Sequence, residues 1–211
     1  MSDAVKIERF LAQEGYTTAC ARRQARTLLE RAGLTRPGKR AMAMEKLPRA
    51  RAVLAAGSLR LCGDPECAQL AQAGPRLQPG LVARVAPTSC QVCGGSNNRR
   101  AARALVARLA AAGIERLLVV GGTPALHAEL DRLLTPHGVE LRCVDGTRGS
   151  HTAKEAARHL RWAQVVVIWG ATPLPHKVSA LYVDAPPGTR VVKLARRGIE
   201  ALCRAVLQSL A

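Results

Sequence analysis

Arg116-Leu117-Leu118-Val119-Val120-Gly121-Gly122-Thr123-Pro124 is the stretch whose reading decides the fold. The apolar run after Arg116 shows no alternation with polar residues, the mark of a strand buried on both faces. Gly-Gly-Thr-Pro then stops it and opens a helix to about Leu134, because proline suits the first helical position. The same phrase recurs three times. Val139 to Val144 runs into Asp145-Gly146-Thr147-Arg148, and Val165-Val166-Val167-Ile168-Trp169 runs into Gly170-Ala171-Thr172-Pro173-Leu174-Pro175-His176-Lys177. Arg190 to Leu194 precedes a closing helix from Gly198 to Leu210, and another helix spans Thr152 to Trp162. Strands alternating with helices predict a parallel four-stranded sheet with right-handed crossovers, in the order 2-1-3-4. The expectation is an α/β, Rossmann-like domain over residues 98–211.

In open α/β sheets the binding crevice forms at the carboxyl ends of the strands. Gly121, Gly122 and Thr123, then Asp145, Gly146 and Arg148, then Thr172, His176 and Lys177 all fall at such ends, and together they form a candidate ligand crevice. Helix-start amides with Arg148 and Lys177 suit an anion such as phosphate. No G-x-G-x-x-G and no G-x-x-x-x-G-K-[ST] is present, which leaves the dinucleotide and P-loop readings little support. Asp145 and His176 could serve as base and orienter, or hold a divalent metal for phosphodiester cleavage. That gives the alternative function, an enzyme acting on a nucleotide or nucleic acid, as a nuclease or phosphohydrolase. Against it, residues 98–211 hold only eight acids and no G-x-S-x-G elbow.

The run from Leu118 to Leu210, with its strand ending in Gly121-Gly122, its Val144-Asp145-Gly146-Thr147-Arg148, its tryptophan-ended strand and His176-Lys177-Val178-Ser179, resembles an uncharacterised bacterial Rossmann-like family of unknown function. The resemblance implies the fold and no activity. Asp145-Gly146 and His176 match positions that recur in that family, while Val144 stands where a histidine is typical.

Upstream, Cys62, Cys67, Cys90 and Cys93 read C-x4-C, a 22-residue gap, then C-x2-C. Four thiols in two close pairs suit tetrahedral Zn2+, and Gly94-Gly95 supplies the tight turn of a knuckle. Leu59 to Leu61 and Leu81 to Ala86 are expected to form the hairpin of a zinc ribbon over residues 58–97. The chain holds seven cysteines, an odd number that argues against a disulfide framework and leaves Cys20, Cys143 and Cys203 as expected buried free thiols.

Residues 1–57 read as a basic helical head. A helix over 4–14 carries Val5, Ile7, Phe10 and Leu11, and Gly15 ends it. A second helix over 18–32 sets Ala25, Leu28, Leu29 and Ala32 on one side and Arg22, Arg23, Arg26 and Arg31 on the other. A basic loop with Lys39 and Arg40 leads to a third helix near Glu45 to Ala56. This is the layout of a helix-turn-helix, in which the second helix enters the major groove. After the cysteines, Arg99, Arg100 and Arg103 begin a further basic helix, from Asn98 to about Ala112.

Charge selects the partner. The chain has 32 Lys and Arg against 15 Asp and Glu, a net +17, of which +7 lies in residues 1–57. Such an excess implies a polyanion. Aromatic residues are 2% of the chain, too few to stack successive bases, so DNA duplex is favoured over single strands and RNA. The expected contacts are Arg22, Arg23, Arg26, Lys39, Arg40, Arg99, Arg100 and Arg103. Apolar aromatic anchors for a membrane surface are scarce, no apolar run reaches the roughly 20 residues of a membrane helix, and no signal-peptide pattern opens the chain. The sequence thus reads as a cytoplasmic, zinc-containing nucleic-acid-binding protein with a docking or ligand-sensing domain. A protein partner or a homo-oligomer stays open.

Overall fold

The computed structural model describes residues 4–73, 80–145, 152–170 and 179–211, and the chain divides into two compact units, Met1–Ser96 and Asn97–Ala211. The helical head and the four-cysteine segment both belong to the first. No helix among the described residues is long and apolar enough to cross a membrane.

The first unit runs β1 (Ala4–Lys6), α1 (Ile7–Gln13), α2 (Ala19–Arg31), β2 (Ala41–Ala43), α3 (Leu47–Gly57), β3 (Ser58–Leu61), α4 (Pro65–Ala73) and β4 (Leu81–Arg84). Thr18 caps α2 by accepting from the Ala21 amide. Ile7, Phe10, Leu11, Ala21, Ala25 and Leu29 form its core, joined by Ala50 and Leu54 of α3. A short antiparallel pair, β1 with β2, closes the loop after α2. That pair is too short to leave a period-2 signature in the sequence.

The expected zinc-ribbon hairpin is not what the chain forms. β3 and β4 pair in parallel, Ser58 with Leu81 through Leu61 with Arg84. A parallel pair cannot be joined by a tight turn and needs a crossover, which α4 supplies. Cys67, Leu70 and Ala71 lie at helical spacing on α4 and share a cluster with Leu59, Leu61, Cys62, Cys90, Val92 and Cys93. Side chains alternate across the ribbon, and its two faces do different work. Ala83 and, just beyond β4, Val85 enter the head core, whereas Leu59 and Leu61 enter the cysteine cluster. Tyr16, fully buried, shares a 2.5 Å hydrogen bond with Ser58, which donates on to the Leu54 carbonyl.

The second unit is a three-layer α/β sandwich. α5 (Asn97–Ala111), β5 (Arg116–Gly121), α6 (Pro124–Leu134), β6 (Glu140–Val144), α7 (Ala153–Trp162), β7 (Val165–Trp169), β8 (Arg190–Leu194) and α8 (Ile199–Ser209) follow in order. The sheet is parallel throughout and runs β6-β5-β7-β8, which is the expected 2-1-3-4. Central β5 is buried on both faces. Leu117 and Val119 face the cluster of α5, α6 and α8, and Leu118 and Val120 face that of α7. α7 opens with a capping box, Thr152 and Glu155 satisfying each other's backbone amides.

Candidate metal centre

Four chain segments deliver the cysteines. Cys62 follows the last residue of β3, Cys67 lies in the first turn of α4, Cys90 follows the 3-10 turn Pro87–Ser89, and Cys93 sits in the turn after it. All four are buried, and their sulfur atoms lie within 4.8 Å of one another. The Cys62 and Cys93 sulfurs are 3.9 Å apart. A tetrahedron of thiolates at zinc-sulfur distances has edges of roughly 3.8 Å, so the cluster fits a single tetrahedral ion.

Hydrogen bonds around the cluster help to set this shape. Gln91 grips the main chain of β3 twice, donating its amide to the Arg60 carbonyl at 2.9 Å and accepting the Arg60 amide at 2.7 Å. Arg84 donates to the Cys62 carbonyl at 2.6 Å. The turn reverses through Gly94 and Gly95, at φ 56° and 80°, which brings the Gly95 amide to 3.4 Å from the Cys93 sulfur. Burial pushes the Cys67 and Cys93 thiols up. Burial also acts upward on Cys90, but backbone hydrogen bonds from Cys93, Cys62 and Val92 outweigh it and leave that thiol lowered to about 7. Metal ions bind cysteine in the thiolate form, so an ion held here would keep all four sulfurs deprotonated.

The other three cysteines stand apart. Cys143 and Cys203 are pushed up to about 12, chiefly by burial. Cys20, expected to be buried, is exposed, because the α2 stripe that enters the core is Ala21, Ala25 and Leu29.

The basic residues divide by what they touch. Arg22 pairs with Glu8 at 3.0 Å and donates to the Thr17 carbonyl at 2.9 Å. Arg26 pairs with Glu30 at 2.8 Å and reaches the Arg36 and Lys39 carbonyls, so it fastens the basic loop to α2. Arg23, Arg36, Lys39 and Arg40 are exposed, and no ion pair engages them among the described residues. On α5, Arg99 and Arg103 are exposed and Arg100 donates to Asn97 at 2.7 Å. Asn98 is structural, donating to Glu129 and accepting the Glu200 amide, which ties α5 to α6 and α8.

Of the candidate crevice, Gly121, Gly122, Thr123 and Asp145 are described, and Gly146, Arg148, Thr172, His176 and Lys177 lie outside the described residues. The two glycines answer to packing. A Cβ on Gly121, whose φ is +97°, would sit 2.3 Å from the Trp169 carbonyl oxygen, and one on Gly122 would sit 2.8 Å from the Trp169 ring. Thr123 caps α6. Half-buried Asp145 follows β6. Two helix histidines have specific partners: His127 Nε2 meets the Gly121 carbonyl at 2.8 Å, and His159 Nδ1 meets the Tyr182 hydroxyl at 3.0 Å. Both bonds join residues brought together by the fold, and no local spacing announces them.

No protein-family model, no curated protein and no solved structure matches the chain, so the resemblance of its last part to a Rossmann-like family gains no support beyond the parallel sheet itself.

Proposed function

We propose that this is a zinc-containing nucleic-acid-binding protein whose first unit grips duplex DNA and whose second, Rossmann-like unit serves as a docking or ligand-sensing module. The observation that carries the reading is a set of exposed cations with no ion pair among the described residues, Arg23 on α2 and Arg36, Lys39 and Arg40 on the loop that Arg26 pins to that helix. A fixed cationic surface loses little freedom when it meets phosphate. In the helix-turn-helix reading α2 is presented to the groove, its exposed stripe carrying Arg23, Thr27 and Arg31. Arg22 and Arg26 then act by shaping that surface, and Arg99 and Arg103 add a basic helix face on the second unit. Zinc suits a buried set of four thiolates, which closes the coordination sphere and makes the ion structural.

The test is duplex binding measured against salt. Replacing Arg23, Lys39 and Arg40 by alanine should flatten the slope of log affinity on log salt by about three units, because each phosphate contact releases condensed counterions. Absence of salt-dependent binding to any DNA or RNA by the unmutated protein would refute the reading.

A further inference from the structure

Arg60 is a cation that the charge pattern gave no reason to single out. Its main chain is closed on both sides, by Ala83 across the parallel pair and by Gln91 on the other edge. Its side chain turns to the head. The guanidinium lies over the Tyr16 ring, 5.4 Å from its centre, and against Gly15, where an added Cβ would stand 3.0 Å from Arg60 Nε. Nε is buried and has no hydrogen-bond partner, and no acid pairs with Arg60 among the described residues. Three acids of the head are engaged elsewhere: Glu8 with Arg22, Glu30 with Arg26, and Glu14, the neighbour of Gly15, with Arg51 at 2.7 Å.

A guanidinium set over a ring, close against a glycine and with a buried Nε that lacks a partner is costly to maintain for packing alone, since a leucine or methionine would fill the same space without a desolvated donor. It is also pre-organised, so that little side-chain freedom is lost when an oxyanion arrives. We infer that Arg60 is a phosphate-binding residue, contacting the backbone of the polynucleotide beside the α1–α2 turn where the head meets the metal knuckle. The inference rests on the nucleic-acid reading and adds to it a contact contributed by the cysteine segment rather than by the basic helix or loop.

The experiment is fluorescence anisotropy with two unrelated DNA duplexes across a salt series, on wild type, Arg60→Met and Arg60→Gln, each checked for metal content and thermal stability. Arg60→Met keeps the apolar stem over Tyr16, and Arg60→Gln serves should the methionine variant fail to fold. The expected result is a salt slope shallower by about one unit and the same loss of affinity on both duplexes, with metal content unchanged. A folded, metal-loaded variant with the wild-type slope and affinity overturns this inference and leaves the nucleic-acid reading standing. A wild-type protein with no salt-dependent binding overturns both.

Discussion

Stripping the metal should loosen the helical head as well as the cysteine segment, because one strand serves both. β4 and the residues after it give the head core Ala83 and Val85, with 0% and 6% of their surface exposed. Two hydrogen bonds tie this stretch to the turn before α2: Thr18 donates to the Arg84 carbonyl, and the Ala86 amide donates to Thr17, each at 2.8 Å. The far end of the same stretch leads to Cys90 and Cys93, and across the ribbon β3 leads to Cys62. Without the ion, the loop between β4 and the knuckle loses its fixed end. Burying a valine contributes about 1.5–3 kcal/mol and an alanine methyl about 0.8. Two partly exposed hydrogen bonds add about 0.5–1 kcal/mol each. If β4 frays, the head therefore loses roughly 3–6 kcal/mol, a large share of the about 5–15 kcal/mol typical of a folded domain. The assay is far-ultraviolet circular dichroism and amide exchange in α1 and α2, before and after chelation. Trp162 and Trp169 both lie in the second unit, so tryptophan fluorescence is the internal control and should hold steady. The reasoning fails if freshly purified, reduced protein carries no metal, or if stripped protein keeps full amide protection in α1 and α2.

Two further outcomes concern the second unit. Gly121→Ala should destabilise it by at least about 2 kcal/mol, the strain of a non-glycine residue at positive φ plus a clash with the Trp169 carbonyl that no rotamer can relieve, and duplex binding by the first unit should persist. Urea unfolding followed by tryptophan fluorescence measures this, and a loss below about 0.5 kcal/mol would return the glycine to the list of ligand-binding residues. The second outcome is alkaline weakening. Cys203 is held up at about 12 against 9.0 unfolded, so above pH 9 the unfolded chain releases a proton that the folded one keeps. The Cys203 contribution is constant below pH 9 and falls as pH rises toward 12, at up to about 1.4 kcal/mol per pH unit. Cys203→Ala should flatten that decline in part, Cys143 supplying a similar contribution, and equal slopes for variant and wild type would contradict it.

What could be read directly from the chain is what short-range chemistry controls. Val165–Trp169 is a strand because five consecutive apolar, mostly β-branched residues can be buried only on both faces of a sheet, and its bounds emerge as expected. Thr152 and Glu155 announce the start of α7, Pro124 that of α6, and the paired spacing of Cys62, Cys67, Cys90 and Cys93 announces a single cluster. Direction and partnership were decided by tertiary structure. β3 and β4 look the same in sequence whether they pair antiparallel or parallel, and only the burial of Cys67, Leu70 and Ala71 against the cluster makes the intervening segment a helix that returns the chain to the same edge. Arg22, Arg23 and Arg26 are likewise equivalent by type. Glu8 approaches from α1 and the Arg36 and Lys39 carbonyls from the loop, which spends two of the three arginines on the framework and leaves Arg23 exposed. Gly121 and Gly122 carry the same two letters a phosphate loop would, yet their lack of side chains is used by Trp169, 48 positions beyond Gly121 in the chain and its register partner in the sheet. Such contacts depend on which surfaces meet after the chain has closed, and no local pattern of residues encodes that meeting.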